Sequence, residues 1–406
     1  MKRRAALLLA LLLAFSLALP ALAADAGEHV HQYDENGVCQ ICGEECAHGV
    51  WVNGVCQICG YRCPHPGWED SVCVQCRMRC PHEHHDHDTF RCTACGKVVL
   101  HAYRDGVCTM CGVAPWFQSE PLPMYLFAPC PQQGTVQTLT YETHDYMKER
   151  QKDDLVTRVK KLHVYLPYGY DPSRQYDVLI LMHGMGGTER YWLVDEQVYY
   201  DPPEEKVHTT DLLDNMIALG TAREMIVVTP TFYNNSDKMN DYQRNREQDQ
   251  FVYELRRDIL PLIVKNFSTY AVEPTEEAIS AAREHFAYAG LSMGSIYGYN
   301  AVLPLCLDLF GWFGQFSGAE CYTDLVISAL NSENNADYPV YWFYNAAGTA
   351  DNMYRNHRDQ YRALVNSCPA LTEGKNATFT DIKGAYHEYK AWGEGLYNFL
   401  LVVFAR

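Results

Sequence analysis

Apolar runs dominate the chain after residue 136, and each is short enough to be a strand. Four of them contain mainly aliphatic, β-branched or aromatic residues: YDVLILMHG (176–184), MIVVTPTF (225–232), HFAYAGLSM (285–293) and YPVYWFYNAAG (338–348). Runs of this kind are typical of strands that are buried on both faces of a parallel sheet. We therefore predict an α/β fold, with a mostly parallel sheet and helices on both faces.

A helical pattern lies between two of these runs. In FVYELRRDILPLIVKNF (251–267), Phe251, Leu255 and Ile259 recur every four residues, which predicts an amphipathic helix. Pro261 falls inside this segment, so we expect the helix to kink or end there.

The first residues have the layout of a secretory signal peptide. Lys2, Arg3 and Arg4 precede a short apolar run, and Ala21-Leu22-Ala23 offers a small-x-small cleavage site. No later segment reaches the roughly 20 apolar residues that a membrane span needs. We expect a secreted or extracytoplasmic protein without a membrane span.

The N-terminal part repeats a cysteine pattern. Thirteen of the 17 cysteines lie between Cys39 and Cys111, and they include five CxxC pairs whose first cysteines are 17, 17, 19 and 16 residues apart. The heptapeptide GVCQICG occurs twice, at 37–43 and at 54–60. A Cys-x-His or His-x-His pair precedes CxxC in the first four units, and the last unit keeps His101 alone. This spacing predicts an internal repeat of about five units.

Two close pairs of sulfur and nitrogen ligands in each unit suit tetrahedral Zn²⁺. Units this short cannot bury a useful core, so bound metal would supply the missing stability. We predict a metal-stapled module with structural zinc and no open coordination position. Its ligands would be His29, His31, Cys39, Cys42, Cys46, His48, Cys56, Cys59, Cys63, His65, Cys73, Cys76, Cys80, His82, Cys92, Cys95, His101, Cys108 and Cys111.

Other interpretations of the repeat remain open. The ligands can also be grouped forward along the chain, as Cys39, Cys42, Cys46 and His48, and the sequence does not choose between the groupings. Export permits a disulfide scaffold. An odd number of cysteines in the module, with histidines in register, favours zinc over disulfides or a redox role. The run HEHHDHD (82–88) is either a solvated loop or an additional metal site.

Charge and aromatic content narrow the classes of partner. The net charge of −17 argues against nucleic acid, because phosphate binding relies on Lys and Arg. Aromatic residues make up 13% of the chain, with 29 tyrosines, which is compatible with a surface for sugars or aryl groups. The aromatic residues that line such a pocket or else pack in the core include Tyr199, Tyr200, Phe232, Tyr233 and Trp392.

The stretch Gly290-Leu291-Ser292-Met293-Gly294 carries the candidate chemistry. This is G-x-S-x-G at the end of a predicted strand and before the helix-compatible SIYGYNAVLPL, where its glycines permit the sharp turn that exposes a nucleophilic serine. The motif in this context predicts that Ser292 is the nucleophile of an α/β-hydrolase.

A nucleophilic serine needs a base and a carboxylate that orients it, and in α/β-hydrolases these follow in the order Ser, Asp or Glu, His. Asp351 follows a predicted strand in GTAD, and His387 follows the strand-like ATFTDIKG. The competing residues are Asp359 and His357, in the helix-like NMYRNHRDQYRALV and expected to be exposed, and Asp381 within a strand. We predict the triad Ser292, His387 and Asp351.

Acyl transfer also requires N–H donors for the developing oxyanion. The Gly-rich HGMGG follows the VLILM strand directly, as the corresponding loop of α/β-hydrolases does. We predict that the donors are the backbone amides of Met293 and Met185. No cofactor is expected for catalysis.

These elements divide the chain into four parts. Composition changes at the Pro-rich stretch APWFQSEPLPMYLFAPCPQQG, where the density of Cys and His falls. We predict a signal peptide at 1–24, a Cys/His-rich module at 25–112, a linker at 113–135 and an α/β-hydrolase domain at 136–406.

Residues 136–406 resemble the esterase-D-type α/β-hydrolases, specifically the feruloyl and acetyl-xylan esterases of carbohydrate esterase family 1. The matching pieces, in order, are VYLPYGYDPSRQYDVLILMHGMGG, MIVVTPTF, FVYELRRDILPLI, YAGLSMGS, AAGTAD and GAYHEYKAWGEGLYNFL. The resemblance implies the same triad. The chain departs from the family in having Tyr389, with Trp392 further on, where a Trp commonly follows the histidine, and Ser295 where Gly is common.

The resemblance implies a secreted serine esterase that removes feruloyl or acetyl groups from plant polysaccharide. The same fold includes mycolyltransferases, so an acyltransferase is an alternative, and export argues against an S-formylglutathione hydrolase. A third hypothesis is a zinc-repeat binding protein with a non-catalytic hydrolase domain. In the favoured interpretation the module positions the enzyme through a cell-surface or protein partner.

Overall fold

A computed structural model describes most of the C-terminal part of the chain and short pieces nearer the N-terminus. The described residues are 119–144, 146, 157–200, 204–233, 248–318 and 323–404, together with Gln40 and six two-residue strands. The chain divides into two compact units, Met1–Val99 and Leu100–Arg406. The predicted signal peptide lies outside the described residues.

One eight-stranded sheet forms the centre of the second unit, in the order β1-β2-β4-β3-β5-β6-β7-β8. Strand β2 is antiparallel to both of its neighbours, β1 and β4, and every pairing from β4 to β8 is parallel. The strands are β1 (Thr135–His144), β2 (Thr157–Leu166), β3 (Asp177–Met182), β4 (Met225–Thr229), β5 (Phe286–Leu291), β6 (Trp312–Phe316), β7 (Trp342–Gly348) and β8 (Ala377–Ile382). The predicted mostly parallel sheet is confirmed.

Burial explains why the predicted strands are apolar throughout. Every residue of β3, β4, β5, β6 and β7 is buried. Side chains of a strand alternate between its two faces, so each strand supplies both hydrophobic cores, one on each side of the sheet. Strand β1 lies at the edge instead, and its first four residues are exposed.

Helices cover both faces. They are α1 (Thr209–Ala218), α2 (Gln248–Glu254), α3 (Leu260–Asn266), α4 (Glu276–Ala281), α5 (Met293–Tyr297), α6 (Leu303–Leu305), α7 (Thr323–Leu330), α8 (Tyr354–Ser367) and α9 (Tyr389–Leu400). A small antiparallel hairpin, Gln197–Tyr199 with Glu205–Val207, completes this unit. Among the described residues, no helix has the length and apolar character needed to cross a bilayer.

Two prolines are accommodated by widening the helix before them. Pro261 was expected to kink or end its helix, but the backbone stays helical because a π-helical turn, Leu255–Ile259, joins α2 to α3. Pro304 follows a second π-helical turn, Gly298–Val302, in the same way. A proline ring clashes with the carbonyl four residues earlier in a regular α-helix, and the wider turn relieves that clash.

The segment before β1 packs on the hydrolase fold. The 3₁₀ turn Met124–Phe127 buries Leu126 in the core that also contains α9. The backbone of Glu120 exchanges hydrogen bonds with the side-chain amide of Asn398, at 2.9 Å in each direction. Two points of the predicted linker, Glu120 and Leu126, are therefore held against the hydrolase fold.

Three hairpins of the N-terminal repeat share one register. Trp51–Val52 pairs with Val55–Cys56, Trp68–Glu69 with Val72–Cys73, and Tyr103–Arg104 with Val107–Cys108, each antiparallel. In each hairpin the first cysteine of a CxxC pair stands opposite an aromatic residue. The hairpins show the same backbone unit recurring at three places of the predicted repeat.

Candidate active site

The sheet order brings the chemically important loops together. The chain passes from β3 to β4 on one side and then to β5 on the other, so the loops after β3 and β5 are neighbours. In open α/β sheets, ligands bind at such a switch point, at the carboxyl ends of the strands. The loop after β3 contains His183-Gly184-Met185-Gly186-Gly187, and Ser292 follows β5 directly.

Ser292 occupies a sharp turn between β5 and α5. Its backbone has φ 48° and ψ −115°, a conformation that L-residues rarely adopt. Both glycines of the motif are required by close packing. A Cβ on Gly290 would lie 2.6 Å from the carbonyl carbon of Gly294, and one on Gly294 would lie 2.5 Å from the carbonyl oxygen of His183. The motif therefore folds back on itself, against the loop after β3.

His387 bridges Ser292 and Asp351. Its Nε2 is 3.0 Å from Ser292 Oγ, and its Nδ1 is 3.0 Å from each carboxylate oxygen of Asp351. Neutral imidazole carries one ring proton, and the carboxylate can only accept, so Nδ1 carries the hydrogen and Nε2 is free to accept from the serine hydroxyl. The structure thus brings the three predicted triad residues into one hydrogen-bonded chain.

Asp351 is held ionised in a buried position. Burial favours the neutral carboxyl, but hydrogen bonds from His387 and from the backbone N–H of Met353 (2.8 Å) outweigh it, and the pKa of Asp351 lies below its ordinary value. The backbone N–H of Asp351 donates to Gly348 O at 3.0 Å, which fixes the turn after β7. An ionised carboxylate in this position would stabilise an imidazolium if His387 took a proton.

Two aromatic residues of α9 distinguish this site from the pattern that the resemblance implies. Trp392 stands edge-on to the His387 ring, at 5.1 Å between centroids. Tyr389, where a Trp commonly occurs, is buried, and its hydroxyl is 2.8 Å from Thr209 Oγ1. Trp392 is therefore the indole that contacts the histidine.

The competing residues lie outside the hydrogen-bonded chain of Ser292, His387 and Asp351. His357 was expected to be exposed, and this is wrong: its side chain is buried beneath β7, with Nε2 3.0 Å from Asn345 Oδ1. It lies on the inward face of α8, a position that the polar sequence around it conceals. Asp359 is exposed on the same helix, and Asp381 accepts a hydrogen bond from Tyr354 at 2.9 Å.

Of the two residues predicted to supply oxyanion donors, Met293 follows Ser292 directly, and Met185 follows a glycine that packs against Ser292. Met293 is the first residue of α5, so its N–H has no partner within the helix. A Cβ on Gly184 would lie 3.1 Å from Ser292 Cβ, which places the residue before Met185 against Ser292. The Met185 side chain is 58% exposed.

The aromatic residues predicted for a pocket or the core differ in burial. Tyr199 and Phe232 are buried in the core. Tyr200 is 47% exposed. Tyr233 accepts a hydrogen bond from the Gly186 N–H at 3.0 Å. It therefore supports the loop after β3 directly.

Sequence reasoning missed the residues that support these loops. Thr231 Oγ1 is 2.9 Å from His183 Nε2, and Ser295 donates a hydrogen bond from its hydroxyl to Gly318 O. Nothing in the sequence pattern marks Thr231. Ser295 was visible as a departure from the family's glycine, and its hydrogen bond to the segment after β6 gives that departure a structural role.

Of the predicted metal ligands, only the backbone of Cys56, Cys73 and Cys108 is described. The remaining predicted ligands, from His29 to Cys111, lie outside the described residues. Within the described ranges, no group of three or more His, Cys, Asp or Glu side chains is placed to hold a metal ion.

Comparison with known proteins assigns the domain. The family described as "Putative esterase" matches residues 156–400, which is more than half of the chain. The chain belongs to this esterase family. As a member of it, the domain is a carboxylic-ester hydrolase, and the Ser292 cluster lies within the matched residues.

Two curated relatives are larger proteins. The esterase is 30% identical over 255 residues to endo-1,4-beta-xylanase Y of Acetivibrio thermocellus, covering 61% of this chain and 20% of the xylanase. It is 30% identical over 166 residues to an endo-1,4-beta-xylanase/feruloyl esterase of Xylanibacter ruminicola, covering 40% of this chain and 20% of that protein. The chain thus matches about a fifth of the length of either relative.

Solved structures of similar fold include feruloyl esterases. A serine-to-alanine variant of the feruloyl esterase module from Clostridium thermocellum, complexed with sinapinate, matches with a TM-score of 0.58 and 27% identity, over 71% of this chain and 94% of the module. A ferulic acid esterase from Anaeromyces mucronatus matches with a TM-score of 0.55 and 21% identity, over 71% of this chain and 98% of that one. The second likeness concerns the fold alone.

Proposed function

We propose that this chain is a secreted serine esterase that cleaves feruloyl or acetyl esters of plant polysaccharide. The observation that carries the proposal is the position of His387, within 3.0 Å of both Ser292 Oγ and the Asp351 carboxylate. Support for the substrate class comes from the relatives, which are a xylanase and a xylanase/feruloyl esterase, and from the similar feruloyl esterase module.

The reaction proceeds through an acyl-enzyme. His387 Nε2 takes the proton of the Ser292 hydroxyl as its oxygen attacks the ester carbonyl carbon, and the backbone amides of Met293 and Met185 stabilise the oxyanion. When the tetrahedral intermediate collapses, His387 returns the proton to the departing alcohol oxygen. Water then attacks the acyl-serine with His387 again as base, which releases the carboxylic acid and regenerates Ser292.

A panel of esters tests this proposal. Purified protein is incubated with p-nitrophenyl acetate, methyl ferulate and feruloylated arabinoxylan, and acid release is measured for wild type and Ser292→Ala. We expect turnover of the feruloyl or acetyl esters by wild type and none by the variant. Cleavage that persists in Ser292→Ala would contradict the assigned nucleophile.

The alternative with the same triad is an acyltransferase, which passes the acyl group to a sugar hydroxyl. Repeating the panel with and without an acceptor sugar separates the two. Release of acid without acceptor supports hydrolysis, whereas product that forms only with acceptor would favour transfer. A non-catalytic domain would show neither.

The N-terminal module is proposed to be a zinc-stapled repeat that positions the esterase outside the cell. Support comes from the common register of its three described hairpins, which sets Cys56, Cys73 and Cys108 at equivalent places. Metal analysis of the full chain tests this, and we expect several zinc ions per molecule. Thiol titration that finds the module's cysteines paired as disulfides would contradict it.

A further inference from the structure

His183, between β3 and the glycines of its loop, makes two hydrogen bonds with its ring. The side chain is buried, Nδ1 is 2.7 Å from Gly184 O, and Nε2 is 2.9 Å from Thr231 Oγ1. The Phe232 ring covers it at 4.5 Å between centroids. The triad mechanism uses neither ring nitrogen, although the residue lies beside the nucleophile's turn.

The two partners fix one tautomer of the ring. A backbone carbonyl can only accept, so Nδ1 carries the hydrogen and donates it to Gly184 O. Nε2 of the neutral ring then accepts from the Thr231 hydroxyl. Burial lowers the pKa of His183 to about 4; the hydrogen bond to Gly184 opposes this shift, and the charge of Lys160 adds to it. The ring is therefore neutral at neutral pH.

A buried ion pair holds Thr231 in place. Lys160 Nζ donates to Thr231 O at 2.7 Å and lies 2.7 Å from Glu254 Oε1. Tyr141 donates its hydroxyl hydrogen to the same carboxylate. These side chains come from β1, β2 and α2, so the partner of His183 Nε2 is tied to three elements of the fold.

Two hydrogen bonds restrain the Gly184 carbonyl oxygen. Besides His183 Nδ1, it accepts the Gly187 N–H at 3.1 Å. Gly187 can approach because it has no side chain: a Cβ there would lie 3.0 Å from His183 Cβ and 3.2 Å from Nδ1. In a trans peptide the N–H points opposite to the carbonyl, so restraining Gly184 O also orients the N–H of Met185.

We propose that His183 is a positioning residue for the oxyanion hole, acting through the Gly184–Met185 peptide. The Thr231 hydroxyl selects the tautomer, the ring holds the Gly184 carbonyl, and the direction of the Met185 N–H on the far edge of that peptide is fixed as a result. This inference rests on the proposed esterase function, because that function makes the Met185 N–H one of the two oxyanion donors.

Substitutions at His183 separate positioning from packing. The amide nitrogen of Asn occupies nearly the place of Nδ1, so His183→Asn keeps the donor to Gly184 O, whereas His183→Leu removes it. Loss of one oxyanion donor lowers kcat by about 10² to 10³-fold. We expect His183→Leu to lose about 10²-fold in kcat with little change in KM, and His183→Asn to recover most of that loss. Thermal unfolding and circular dichroism establish that the variants are folded.

Binding of a boronic acid provides a readout that packing alone would not move. An arylboronic acid forms a tetrahedral adduct with a nucleophilic serine and places a negative oxygen in the oxyanion hole, whereas the product ferulate does not. We expect His183→Leu to weaken boronate binding about as much as it lowers kcat, and to leave ferulate binding within a few-fold of wild type. Thr231→Val should weaken boronate binding by a smaller factor, and Thr231→Ser should restore it.

Equal boronate binding in wild type, Thr231→Val and a folded His183→Leu would overturn the inference. If His183→Leu does not fold, the Thr231 pair still decides, because valine matches the shape of threonine without its hydroxyl. Boronate binding does not depend on turnover. A wild type that binds boronate but cleaves no ester would therefore contradict the proposed function while leaving the role of His183 to be judged by the variants.

Discussion

At the scale of single residues, the Asp351 carboxylate determines which nitrogen of His387 carries the proton. Asp351→Asn would offer an N–H to Nδ1 and so favour the tautomer whose Nε2 is protonated and unable to accept from Ser292. In a serine protease the same exchange lowers kcat about 10⁴-fold, and we expect a loss of that order here. Ester hydrolysis measures it, and Asp359→Asn, on the exposed face of α8, is the matched control that should retain activity.

The pH dependence of the unfolding free energy should also reflect the Asp351 carboxylate. The pKa of Asp351 is lowered in the folded protein, so its interactions stabilise the fold at neutral pH and are lost as the pH falls through that folded pKa. The gap in unfolding free energy between wild type and Asp351→Asn should therefore narrow on acidification. A gap that widens as the pH falls would contradict this assignment.

The buried His357 predicts a different response to acid. Burial lowers its pKa from 6.5 to about 3, against the opposing charge of Asp351, so the folded state keeps the ring neutral where the unfolded chain binds a proton. Between pH 6.5 and 3 this residue should reduce stability with a slope approaching about 1.4 kcal/mol per pH unit. His357→Leu should show a shallower decline in denaturant-unfolding free energy over this range.

The exposed His208 gives the control for that measurement. His208→Leu makes the same substitution at an exposed histidine and is measured under the same conditions. Parallel slopes for wild type and His357→Leu would show that His357 is protonated equally in the folded and unfolded states and would contradict this prediction.

At the scale of elements, the segment after β6 supports the turn that carries Ser292. A Cβ on Gly318 would lie 2.3 Å from Ser292 O, and its three nearest atoms all belong to the Ser292 backbone. Gly318→Ala must therefore displace the turn. Because misplacing a catalytic group by about 1 Å can cost 10²-fold, we expect a fall in kcat of that order.

Gly169→Ala is the contrasting control. Gly169 has φ +71°, and no heavy atom lies within 4 Å of its ideal Cβ, in the connection from β2 to β3 at the opposite edge of the sheet. Alanine there should cost about 1 kcal/mol through backbone strain and leave kcat unchanged. Equal kcat for Gly318→Ala and wild type would show that the turn tolerates the displacement.

Elements differ in how far the sequence predicts them. The buried strands and the Ser292 turn are predictable because their signals are local: unbroken apolar runs, and two glycines flanking a serine. His357 and Thr231 are not, because their partners lie far along the chain. Asn345 is 12 residues from His357, and Thr231 is 48 residues from His183. A helical polar segment gives no sign of which of its side chains faces a distant amide.

The prolines show an intermediate case. Pro261 was expected to kink or end the helix, but the helix widens before it and continues. The π-helical turn Leu255–Ile259 keeps the helix continuous because burial of Leu255 and Ile259 in the core favours continuation over a break.

At the scale of the whole molecule, the three residues of the proposed triad belong to the second compact unit. We expect deletion of residues 25–112 to leave turnover of small esters within a few-fold of wild type, since every described contact of the triad lies after residue 119. The remaining chain keeps Glu120 and Leu126, which pack on the hydrolase fold. A truncated protein that is folded but inactive would contradict the separation of roles.

Chelation tests the same separation without truncation. Incubating the full chain with a strong chelator should release zinc from the module and leave kcat for small esters unchanged, because no step of the proposed reaction uses a metal. Loss of hydrolysis on chelation, restored by added zinc, would place a metal in the catalytic cycle.

The long separations within the triad also bear on how the protein folds. Ser292 and His387 are 95 residues apart, and their meeting requires β5, β6, β7 and β8 to be in register side by side. Contacts of such long range are formed late, because closing the intervening chain costs entropy before the contact repays it. Recovery of ester hydrolysis during refolding would thus show that β5 to β8 have assembled. A chain in which these strands are not yet paired would have no activity.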